Sequence, residues 1–186
     1  EHNACVYGVG FANFHEEKSL INTIEPADPK HINILLVHGT VDLNFKKSRY
    51  NPMASSELAL LGMDYIALGH FHNSLRGIGK GGNIYNPGSP EPLGFDEEGE
   101  HGVFIGKIDF VSERERKLDV RFEKTYKRQY KSLEIKSDCF ESDNQIIDMI
   151  FREAREDQNR ENLMHIILRG YTVPGYRINA ADIADA

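Results

Sequence analysis

Three histidines end apolar runs and sit beside glycine. His38 follows Leu35-Leu36-Val37 and precedes Gly39, while His70 and His72 follow Ile66-Ala67-Leu68-Gly69. Neutral imidazole suits zinc, manganese, iron and nickel, and a His-x-His pair in extended chain presents both rings on one side. One such histidine is more often a hydrogen-bonded structural residue than a ligand. Three in equivalent settings point to a metal centre. A trio of histidines can hold a single zinc, whereas a two-metal site also needs bridging and terminal oxygen ligands. The nearby acids, Asp42 and Asp64, lie at no evident strand end, so the sequence supplies the nitrogen donors without the oxygen donors. His2, His15, His31, His101 and His165 have polar or mid-strand settings and read as surface or packing residues. Cys5 and Cys139 read as small buried hydrophobes.

The elements that position these groups follow from the pattern. Residues 4–11 are β-rich, 13–29 are polar with room for one helical turn, and 31–38 form a strong buried-strand signal closed by Gly39. Residues 55–61 predict a short helix opened by a capping Ser55 hydroxyl and closed by Gly62. Residues 65–68 predict a second short strand closed by Gly69. Strand, helix, strand in this order implies an α/β sheet, and ligands of open α/β sheets bind beyond the carboxyl ends of the strands. That is where His38, His70 and His72 stand. Strands are then expected at 74–78, 83–86, 102–110, 118–124 and 132–136. A helix starts at Ser142 with Gln145 as its capping-box partner. A last strand covers 163–170, and 178–186 reads as a helix just starting.

Composition narrows the function classes. The chain has 186 residues with 40% apolar and 27% charged side chains, a profile of folded rather than disordered protein. No apolar run is long enough for a membrane-spanning helix. The formal charge of −7 excludes a uniformly basic nucleic-acid wrapper. With two cysteines there is no disulfide framework, and a reduced, cytoplasmic setting is the simplest expectation. Charge is nonetheless segregated: residues 91–101 hold five acids and no Lys or Arg, and 124–131 hold four bases, two tyrosines and no acid. The basic stretch could engage nucleic acid, although an exposed face at a domain junction is the commoner meaning of such a run. A domain boundary is expected there, giving units of 1–125 and 126–186.

Taken together, Val37-His38-Gly39, Asp64-Tyr65-Ile66-Ala67-Leu68-Gly69-His70-Phe71-His72 and Tyr85-Asn86-Pro87-Gly88-Ser89-Pro90 resemble the carboxyl-terminal motifs of calcineurin-like metallophosphoesterases. Through Phe95, Glu97 and Gly102 the chain is most similar to the SbcD/YhaO-type bacterial DNA repair exonucleases. The resemblance covers residues 4–125 well and the remainder loosely. It implies part of a β-sandwich flanked by helices, followed by the start of a small α+β capping segment. It also implies two divalent ions, manganese in the nuclease branch, with His38 and His70 on one ion and His72 on the other. Ser89 could contact phosphate, although a Pro87-Gly88-Ser89 turn is more often pure backbone geometry. The partners implied are DNA and an SbcC-type ATPase. The family's Asp-x-His, Gly-Asp and Gly-Asn-His motifs, which carry the bridging carboxylate and the catalytic histidine, are absent from this sequence. The expectation is therefore a fragment of a metal-dependent phosphodiesterase, inactive in isolation and prone to homo-oligomerise through open sheet edges. The alternative is a non-catalytic capping or assembly module that binds DNA or a partner ATPase. A mononuclear cupin-like site is disfavoured, because cupins place the third histidine after the His-x-His pair, with a Glu close behind the pair.

Overall fold

The computed structural model describes residues 3–42, 49–113, 115–156 and 161–186. The chain forms two compact units, one made of Glu1–Glu91 with Glu100–Tyr126 and the other of Pro92–Gly99 with Lys127–Ala186. Their content is mixed α/β.

In the first unit β1 (Ala4–Val9) is followed by a single 3-10 turn (Ile21–Thr23), then β2 (Ile32–His38), β3 (Thr40–Val41) and β4 (Pro52–Met53). Helix α1 (Ser55–Leu60) leads into β5 (Tyr65–Gly69), β6 (Leu75–Ile78) and β7 (Ile84–Asn86), and a hairpin of β8 (Gly102–Phe110) and β9 (Arg116–Lys124) closes the unit. Five strands form one sheet in the order β1-β2-β5-β7-β6, parallel except for β6. Alternation decides what each face does. Leu35 and Val37 of β2, Ile66 and Leu68 of β5 and Ile84 of β7 point to one side, where Leu58, Leu61 and Met63 from α1 and the turn after it close the core. Each such fully buried side chain contributes about 1.5–3 kcal/mol of transfer free energy. On the other side Ile32, Ile34 and Tyr65 share an apolar cavity of about 380 Å³ with Phe104, Ile108 and Leu118 of the hairpin.

Helix α1 begins differently from the sequence expectation. Its N-cap is Ala54, without a side-chain cap, and the Ser55 backbone N–H donates instead to the Asp42 carboxylate at 2.9 Å. A carboxylate from another loop thus performs the capping that a local hydroxyl was expected to perform, and it complements the helix dipole as well.

The second unit is a parallel β-α-β arrangement. β10 (Tyr130–Lys136) pairs with β11 (Leu163–Arg169) across α2 (Asp143–Glu156), and α3 (Ala180–Ala184) follows. Ile135, Phe140 and Ile146 are its core, with Leu133, Ile150 and Ile166 packed around them. Gln145 does cap this end, but its Oε1 accepts from the Glu141 N–H at 2.8 Å rather than from Ser142. Cys139 is exposed and Cys5 half-buried, so neither is the buried hydrophobe expected. Among the described residues, no helix is long and apolar enough to cross a membrane.

Candidate metal centre

The parallel pairing of β2 and β5 places His38 directly opposite Gly69. The Gly39 N–H donates to the Gly69 carbonyl at 3.1 Å, so both strands end at one level. Both chains then turn, and the rings of His38 and His70 meet edge to face, centroids 5.1 Å apart and planes at 74°. Gly69 makes this approach possible: a β-carbon there would lie 3.1 Å from His38 Nδ1. His70 has φ of +124°, a region that side-chain-bearing residues rarely adopt, and holding it there costs on the order of 1–3 kcal/mol. That strain is carried by the residue a metal reading would use.

What holds the two strand ends is a pair of buried asparagines. Asn51, fully buried, donates from Nδ2 to the His38 carbonyl at 2.9 Å and accepts from the Leu20 N–H at 2.8 Å. Asn86, also buried, donates to the carbonyls of Phe71 and Asn73 at 2.8 and 2.9 Å. The carbonyl between those two, on His72, accepts from the Ser89 N–H at 2.9 Å. The turn carrying His70 and His72 is therefore fixed carbonyl by carbonyl. Both asparagines belong to the same tripeptide, Tyr50-Asn51-Pro52 and Tyr85-Asn86-Pro87. This short recurrence is the sequence signal that marks the pair.

Aromatic neighbours enclose the pair. Tyr50 lies against His70 at 4.8 Å between centroids, Phe11 against His38 at 5.7 Å and Phe71 against His70 at 5.2 Å. Partial burial, followed by the charges of His38 and His72, pushes the His70 imidazole below the ordinary histidine value. It is held neutral near pH 7 with a lone pair to offer, which fits a borderline-soft divalent ion. His72 is exposed. Among the described residues, no group of three His, Cys, Asp or Glu side chains is close enough to hold a metal ion. The structure thus brings His38 and His70 together and leaves His72 outside that pair.

The acids near the site are engaged elsewhere. Asp42 caps α1, and Asp64 accepts from the Asn33 N–H at 2.7 Å. Ser89, expected as a phosphate contact, has its hydroxyl 3.0 Å from His101 Nδ1 and 3.4 Å from the His72 carbonyl. His101 is fully buried. Two bases of the basic stretch pair with acids: Lys124 with Glu100, and Lys127 with Glu161 at 2.9 Å. Tyr130 packs its ring against Phe95 at 4.9 Å instead of offering it to a base. Glu97, within the acidic run, is buried and accepts from the Leu93 N–H. In comparisons with known proteins, no family model and no curated protein matches the chain.

Proposed function

We propose that this chain carries the histidine-bearing part of a two-metal phosphodiester hydrolase acting on DNA, as the motif resemblance implies. The observation that supports it is the pairing of His38 and His70 at the ends of adjacent parallel strands, ring centroids 5.1 Å apart and close beside Gly69. In this reading both rings serve one ion and His72 serves a second. Divalent ions bound there would polarise the phosphoester and lower the pKa of an attacking water. The residues of this chain do the orienting: Asn51 and Asn86 hold the backbone, Tyr50 and Phe11 pack against the rings, and partial burial lowers the His70 pKa.

The oxygen ligands and the catalytic acid or base have no candidate here, because Asp-x-His, Gly-Asp and Gly-Asn-His are absent. The 186-residue chain by itself is therefore expected to hydrolyse bis-p-nitrophenyl phosphate no faster than background in manganese. Cobalt(II), followed by its visible absorption, tests the donor set. Nitrogen-ligated cobalt bands should appear on titration, vanish in His38→Ala and His70→Ala, and persist in His165→Ala. Bands that survive both site substitutions would overturn the reading.

A further inference from the structure

We infer that His101 is a positioning residue for His72, acting through Ser89. Its bearing on metal binding rests on the reading above, while its geometry stands on hydrogen bonds alone.

His101 precedes β8 and is 1% exposed, an unusual place for an imidazole unless its polar atoms are engaged. Its Nδ1 lies 3.0 Å from the Ser89 carbonyl oxygen and 3.0 Å from Ser89 Oγ. A carbonyl oxygen can only accept, so the network assigns the ring proton to Nδ1. The hydroxyl then accepts from that same N–H and donates toward the His72 carbonyl, 3.4 Å away. The Ser89 N–H reaches that carbonyl too, at 2.9 Å. One residue thus directs two donors at a single backbone oxygen, and His101 fixes how that residue sits.

Two features make the arrangement rigid. The His101 carbonyl accepts from the Thr125 N–H at 3.2 Å, which ties the ring to the end of the β8–β9 hairpin. Gly88, at φ +79°, lies so close under the His72 carbonyl that any β-carbon would collide with it. The segment therefore has one position, and the direction of the His72 peptide is set from the hairpin.

The test uses the whole chain with His101→Leu and His101→Asn, the latter keeping an N–H close to the place of Nδ1. Two quantities are read: amide hydrogen exchange at Ser89, and the imidazole proton shifts of His72. His101→Leu should speed Ser89 exchange about 10-fold or more while the core amides of Leu35 and Ile66 stay protected, and should move the His72 shifts while those of His165 stay in place. His101→Asn should restore most of both. If His101→Leu fails to fold, Ser89→Ala, which removes only the hydroxyl, should move the His72 shifts in the same direction. Unchanged Ser89 exchange in His101→Leu, no rescue by Asn, or unaltered His72 shifts in Ser89→Ala would overturn the inference. A wild-type chain that binds no cobalt(II), yet shows both effects and their rescue, would remove the metal reading and leave the positioning role standing.

Discussion

The side-chain amide of Asn51 donates to the backbone carbonyl of His38, across a gap of 13 residues in the chain and 2.9 Å in space. Its oxygen meanwhile accepts from Leu20, so one buried side chain joins three separate segments at the end of β2. Removing it leaves a donor and an acceptor buried without partners, each costing about 1–3 kcal/mol. Asn51→Ala should therefore lower unfolding free energy by roughly 3 kcal/mol in urea titrations. Asn51→Asp turns a carboxylate oxygen instead of a donor toward the His38 carbonyl inside a fully buried site, so it should cost at least as much. A clearly smaller loss for Asn51→Asp would mean that the His38 bond is not the one that matters.

Gly69 carries a second expectation. A methyl there meets the His38 ring at 3.1 Å, and a ring can swing where a backbone cannot. Gly69→Ala should thus leave stability within about 1 kcal/mol of wild type while displacing His38 from His70. The displacement is visible as altered imidazole proton shifts for both histidines and as weakened cobalt binding. Unaltered shifts would show that the contact is slack.

The Asp42 cap separates two effects at one position. Asp42 sits at φ +55°, which Asp and Asn tolerate better than Ala, and its carboxylate caps α1. Asp42→Ala should lose both the cap and the backbone fit, about 2 kcal/mol in all. Asp42→Gly should lose only the cap, and Asp42→Asn very little. Chemical denaturation of the three variants should rank them in that order.

In the second unit, Tyr176 donates to the Asp143 carboxylate at 2.5 Å. Burial of the phenol, then this hydrogen bond and the carboxylate's charge, push its pKa up to about 12 from 10.0. Folding therefore favours the neutral phenol. The stabilisation is complete below pH 10.0 and is lost as pH rises toward about 12. Tyr176→Phe should be less stable at pH 8, and its deficit should shrink across that alkaline window. Absorbance at 295 nm should reveal one late-ionising tyrosine in wild type that the variant lacks.

The sequence by itself determined the local half of this protein. Period-two alternation with terminal glycine placed β2 and β5 nearly to the residue, because a buried strand must alternate and must stop where the chain turns. The same logic located His38 and His70 at neighbouring strand ends. Capping was legible only in outline. The hydroxyl of Ser55 is adjacent in sequence, yet the Asp42 carboxylate reaches the helix from 13 positions earlier, and no local rule ranks a distant carboxylate over a near hydroxyl. Tertiary structure alone decided that Asn51 and Asn86 would be buried clamps and that His101 would lie behind Ser89. It also decided that Glu97 would leave its acidic run for the interior. Hydrogen bonds between residues 12 to 31 apart depend on which loops the sheet brings together, and side-chain polarity read one residue at a time carries no record of that.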